Sequence, residues 1–228
     1  MFEPWTLMIA GLIAIGLLMG AFCFGYGMTT APVAWKDAFG TSACLSPQGL
    51  LIFNVIHALV FVTLTILYTF DNVDDEFFFY LTHWSLYVEM VYVSILPLAT
   101  WTAINSDVVQ RPEIIGITVL LFHIALPASI LVFGLYWTLD VPVWRLCPFY
   151  DGEDCKEVPE FFSFFAHAFN MVMIIVAYLF TRVPFHFSNS GWIFAYGCAY
   201  VSWTVFHFFS TLASRCTMRS TGRSRPHP

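Results

Sequence analysis

The stretch FFFYLTHWSLYVEMVYVSILPLATW, Phe77 to Trp101, is long and apolar, yet it carries Thr82, His83, Ser85 and Glu89 within its first four turns. A helix rises 1.5 Å per residue, so a run of about 20 apolar residues crosses the hydrocarbon core of a bilayer. The stretch therefore predicts a membrane span. Polar side chains are costly in hydrocarbon, so those of a span face a bundle interior, a cavity or a functional site. Thr82, Ser85, Glu89 and Tyr92 recur at three- and four-residue intervals and share one face of the predicted helix.

The rest of the chain repeats the pattern. Its 228 residues are 59% hydrophobic, 19% aromatic and 11% charged, whereas soluble domains are about half apolar and a quarter charged. The sequence predicts an all-α, polytopic membrane protein with six spans, at about 6–28, 49–70, 77–101, 112–139, 161–181 and 191–213, followed by a basic tail over 214–228. The stretch after Met1 lacks a basic flank and an A-x-A-like site, and reads as a first span and not a cleaved signal. Breaks fall at the Thr29 to Gly49 loop with Pro32 and Gly40, the acidic turn Asp71 to Glu76, the Asn105 to Glu113 linker, the loop holding Cys147 and Cys155, and the Arg182 to Gly191 linker.

Charge limits the partners. The net charge of −6 resides mostly in Asp71 to Glu76 and Asp151 to Glu160, which argues against nucleic acid; membrane lipids are the expected partners. Six spans place both termini on one side, and the tail arginines Arg215, Arg219, Arg223 and Arg225 put that side in the cytosol. In that orientation Cys147 and Cys155 are free thiols; in the inverse one they are a plausible disulfide. The six cysteines form no metal-ligand pattern, and no cofactor is called for. Gly16-x-x-x-Gly20 permits close helix approach, within the monomer or in a homo-oligomer.

Counted by depth, Thr82 and His83 on the third span, His167 and Asn170 on the fifth, His207 on the sixth and Asp140 closing the fourth all fall toward the tail side. This convergence predicts a polar vestibule there. Tyr196, Tyr200, Trp203 and His207 line one face of the sixth span. His123, beside the Pro127 break, is expected to cap freed carbonyls or an adjacent hydroxyl. Trp5, Trp84, Trp101, Trp137 and Trp192 lie near span ends, as interfacial anchors do.

Three motifs occur in order: YLTHW (Tyr80 to Trp84), AHAFNMVMII (Ala166 to Ile175), and RVPFHF (Arg182 to Phe187) followed by YGCAYVSWTVFHF (Tyr196 to Phe208). They resemble the Y-[LF]-T-[NQ]-W, H-x-x-N-x-V, R-x-P-x-R and Y-V-x-F/W signatures of the rolling stone-like membrane proteins, with His186 at the linker's second Arg. That family is associated with myoblast fusion in flies, which implies a structural or signalling role. It is distantly similar to the androgen-induced family of intramembrane hydrolases, which cleave fatty-acid esters of hydroxy fatty acids with a Thr nucleophile and a His. The resemblance places the nucleophile at Thr82. It places the catalytic His of an H-x-x-H helix at Asn170, so His167 or His83 would have to take the proton from Thr82, with Asn170 orienting the base or donating to the oxyanion.

Three readings follow. The first is a non-enzymatic interaction or lipid-handling protein whose polar groups hold the helices in register. The second is the lipid-ester hydrolase. The third is a two-haem cytochrome b, in which His57 and His123 toward one side, and His83 and His167 toward the other, would ligate iron as facing pairs.

Overall fold

The computed structural model describes residues 35–72, 80–105, 112–140, 161–185 and 187–220. Among these every regular element is helical: α1 (Trp35–Gly40), α2 (Pro47–Asn72), α3 (Leu81–Asn105), α4 (Pro112–Leu135), α5 (Phe161–Phe180) and α6 (Gly191–Ser220). Helices α2 to α5 are each long and apolar enough to cross a membrane. The first predicted span, the acidic turn beyond Asn72, the Cys147/Cys155 loop and the tail beyond Ser220 lie outside the described residues.

Observed boundaries differ from expectation in instructive ways. The predicted third span, 77–101, is helical from Leu81 and continues to Asn105. The Thr29 to Gly49 connection, expected as a plain loop, contains α1. Its Ala38 and Phe39 are fully buried, and α1 packs on the end of α3. There a Cβ built on Gly40 would meet the backbone and Cβ of Ala103 at 3.4 Å, so the small residue lets the two helices touch. The Ala38 carbonyl also accepts a hydrogen bond from the Arg182 N–H, which ties α1 to the end of α5.

Helix α2 runs antiparallel to α3. The Tyr68 hydroxyl is hydrogen-bonded to His83 Nε2 at 2.6 Å, and fourteen residues earlier Asn54 Nδ2 donates to Thr100 Oγ1 at 2.9 Å. Asn54, His57, Phe61, Thr65 and Tyr68 form the buried stripe of α2, at the three- and four-residue spacing of one helix face. Its other face, from Ile52 to Phe70, is exposed and apolar, as suits a lipid boundary. Helix α5 runs parallel to α3. His167 near its start meets Thr82 near the start of α3, and Phe180 at its end meets Phe53, beside Asn54, with ring centroids 4.8 Å apart.

Helices α3 and α4 continue through Pro97 and Pro127. Each proline removes one backbone donor, which neighbouring groups in a membrane bundle can compensate. Two helices depart from α-geometry at one level: α4 ends in a π-helical segment, Tyr136–Asp140, and α5 contains another, Phe165–Phe169. In the second, the Asn170 N–H reaches the Phe165 carbonyl, five residues back. A π-turn is rare and recurs at functional sites.

Candidate functional site

The two π-segments meet at His167. Its imidazole stacks on the ring of Tyr136, with centroids 3.8 Å apart and planes 12° from parallel. His167 Nδ1 lies 2.7 Å from the carbonyl oxygen of Ser163. A carbonyl only accepts, so Nδ1 carries the proton and donates. In the neutral ring Nε2 then presents its lone pair, and Thr82 Oγ1 lies 3.2 Å from it, donating the hydroxyl hydrogen. The Tyr136 hydroxyl is hydrogen-bonded to Ser163 Oγ at 2.9 Å. The imidazole is therefore fixed in tautomer by a backbone carbonyl and in plane by a stacked phenol, with a hydroxyl on its other nitrogen. A nucleophile, a base and a group that orients the base, all within hydrogen-bond reach, form the arrangement used in nucleophilic catalysis.

Asn170 follows His167 by three residues, one turn deeper. It is fully buried, and its Oδ1 accepts the Met171 N–H at 2.6 Å. That bond fixes the amide's orientation, and Nδ2 has no hydrogen-bond partner among the described residues. A buried polar atom without a partner is uncommon enough in native proteins to require an explanation.

His83 stands apart from this pair. Although it adjoins Thr82 in sequence, its ring is buried on the α2 side, against Tyr68. Of the two histidines considered as partners for Thr82, His167 is the one whose nitrogen Thr82 touches. Residues not singled out in the sequence complete the surroundings: Tyr136, Ser163 and Tyr68. Tyr136 lies within a rich aromatic background, and Ser163 acts through its carbonyl, which every residue type possesses, so neither has a distinguishing sequence signal.

The expected haem pairs do not fit these contacts. Ligation requires a ring nitrogen on each of two facing histidines, but both nitrogens of His167 are hydrogen-bonded. His123 Nδ1 donates to the Val119 carbonyl at 2.7 Å, and its Nε2 accepts from Asn189 Nδ2 at 3.3 Å. His123 thus binds the carbonyl one turn back and an amide from the α6 approach, and not the carbonyl freed by Pro127. His83 Nε2 is held by Tyr68. His57 is buried between the rings of Phe53 and Phe61, and neither of its nitrogens has a hydrogen-bond partner among the described residues. No cluster of three or more His, Cys, Asp or Glu side chains suited to a metal ion occurs among the described residues.

Two further expectations change in detail. Trp84, expected as an interfacial anchor, is half-buried and packs against Tyr196, Tyr200 and Trp203 of α6, with centroids 6.0–6.4 Å apart. Trp101 is 55% exposed, as an anchor would be. The side chains of Asp140 and His207 lie outside the described residues. No protein-family model, curated protein or solved structure matches the chain.

Proposed function

We propose that this chain is an intramembrane hydrolase of lipid esters, with Thr82 as nucleophile, His167 as general base and then acid, and Asn170 as donor to the oxyanion. The observation that carries the reading is the Thr82–His167 hydrogen bond, with Nδ1 of the same ring anchored on the Ser163 carbonyl. The resemblance of Tyr80 to Trp84 to the rolling stone-like motif, and the distant similarity of that family to the intramembrane hydrolases, support the same role for Thr82.

In the proposed reaction Thr82 Oγ attacks the ester carbonyl carbon while its proton passes to His167 Nε2. The carbonyl oxygen becomes an oxyanion, which the unpaired N–H groups of Asn170 Nδ2 stabilise. As the tetrahedral species collapses, the alcohol leaves with the proton from His167 and the acyl group stays on Thr82. Water, deprotonated by His167, then attacks the acyl-threonine, releasing the fatty acid and restoring the hydroxyl. The register role weighed from the sequence fits other residues, namely the pairs Asn54–Thr100 and Tyr68–His83.

The test is labelling of the purified full chain with a fluorophosphonate probe. The expected result is one adduct, on Thr82, lost in Thr82→Ala with folded yield near wild type. Losing one hydroxyl hydrogen bond inside a membrane costs only about 0.6 kcal/mol. Absence of labelling and of ester turnover in the wild type would overturn the hydrolase reading.

A further inference from the structure

Glu89 is the residue that the proposed chemistry leaves unused. It is fully buried in the middle of α3, and neither carboxyl oxygen has a hydrogen-bond partner among the described residues. An acidic side chain at such depth ordinarily pairs or marks a functional path. It is not isolated from other unpaired groups. The Tyr196 hydroxyl of α6 is also buried without a hydrogen-bond partner, and its ring packs against Trp84 of α3, five residues before Glu89, with centroids 6.4 Å apart. Asn170 Nδ2, unpaired as well, projects from α5, whose parallel course fixes its level against α3.

Register places these atoms relative to the dyad. Glu89 lies seven residues beyond Thr82, about 10 Å along the axis on nearly the same face. Helical side chains lean toward the N-terminus, at Thr82 as at Glu89, and the longer carboxyl chain reaches back further, which leaves the two groups about 7–8 Å apart. Asn170 lies three residues beyond His167, about 4.5 Å deeper, between the dyad and Glu89. The unpaired groups of α3 and α5 thus sit at levels that step inward from the dyad, about 4.5 Å to the Asn170 backbone and about 10 Å to the Glu89 backbone.

Resting on the hydrolase reading, we propose that Glu89 and Tyr196 form a subsite for a free hydroxyl of the substrate, so that the preferred ester is an uncharged lipid with a hydroxyl a few bonds from the scissile carbonyl, of which a glycerol monoester is the simplest. A hydroxyl suits the site because it donates once, to a Glu89 oxygen, and accepts from the Tyr196 O–H. A neutral group enters without carrying a charge out of water, whereas a cation must lose its hydration to reach a fully buried carboxyl. A site built to bond a hydroxyl discriminates strongly against an analogue lacking it, because its own polar groups are then left unpaired.

The probes are the hydrophobic carbodiimide dicyclohexylcarbodiimide, which attaches covalently to buried acid groups, and three non-hydrolysable sixteen-carbon amphiphiles: 1-O-hexadecylglycerol, hexadecyl methyl ether and hexadecyltrimethylammonium. Mass spectrometry of the full chain is expected to find the adduct on Glu89 and none there in Glu89→Gln. Hexadecylglycerol should protect at a concentration at least about 100-fold below any at which the ether does, well within the about 10⁴–10⁵ by which a hydroxyl-bonding site rejects an analogue lacking it, and the ammonium should not protect. An unlabelled Glu89, equal protection by all three amphiphiles, or protection by the ammonium alone overturns the proposal. Thr82→Ala separates the two readings: it should retain labelling and protection while losing turnover. Ester turnover without hydroxyl-dependent protection sinks the subsite and leaves the dyad standing; protection without turnover sinks the dyad and leaves a hydroxyl-binding pocket.

Discussion

Replacing Asn170 by Ala tests the least conspicuous member of the proposed site, and two effects can be separated. The first is structural. Asn170 Oδ1 accepts the part-buried Met171 N–H at 2.6 Å, where the π-turn gives way to α-helix, and losing such a bond costs about 0.5–1.5 kcal/mol. The second is catalytic. Losing one oxyanion donor costs about 10²–10³ in kcat, or about 2.7–4 kcal/mol of transition-state stabilisation. Thermal unfolding in detergent reads the first. Hydrolysis of a long-chain p-nitrophenyl ester, normalised to folded protein, reads the second. Asn170→Ala should therefore lower both Tm and kcat, with KM little changed, because the oxyanion exists only in the transition state. If the variant unfolds earlier but turns over ester at the wild-type rate per folded molecule, Asn170 only closes the π-turn and its amide does not face the reaction.

Two other outcomes are expected. Tyr68→Phe removes the hydroxyl at 2.6 Å from His83 Nε2, leaves a buried ring nitrogen without that partner, and should cost about 1–3 kcal/mol in a melting experiment while sparing fluorophosphonate labelling; loss of labelling would draw His83 into the chemistry. Protein purified from haem-replete cells should show no Soret band, because Thr82, Ser163, Val119 and Asn189 hold both nitrogens of His167 and of His123, and Tyr68 holds Nε2 of His83; a band lost on His83→Ala or His167→Ala would restore the cytochrome reading.

Where the sequence was legible, a single physical quantity decided the matter. Unbroken apolar length marks a span whatever its neighbours, so Pro47–Asn72 and Phe161–Phe180 lie within two residues of the runs read by composition. Depth counted at 1.5 Å per residue brought Thr82 and His167, 85 residues apart, to one level, and they touch. Rotation about the helix axis was harder to read. His83 and Thr82 are sequence neighbours at equal depth, and only the packing of α2 turns His83 toward Tyr68. α1 was missed because six residues hold too little helical propensity to be recognised; its order comes from burying Ala38 and Phe39 on α3. Neither π-segment has a sequence signature, since it reflects how two helices fit and not what either prefers.

The π-turn at Phe165–Phe169 has a consequence for how this chain tolerates change in length. A π-turn holds one residue more than an α-turn needs, and each residue of an α-helix advances the azimuth by about 100°. Deleting one of the four residues other than His167 would let the helix close into regular α-geometry with its hydrogen bonds intact, and because four residues then complete the turn that five complete here, the helix on either side would keep its bearing. Only the residues inside the turn would change azimuth, by about half of the 100° step of an α-helix, so His167 would turn away from Thr82 though no functional side chain had been altered. At this position chain length sets azimuth, and a gap of one residue in a relative's sequence would predict the loss of the Thr82–His167 contact even where both residues are retained.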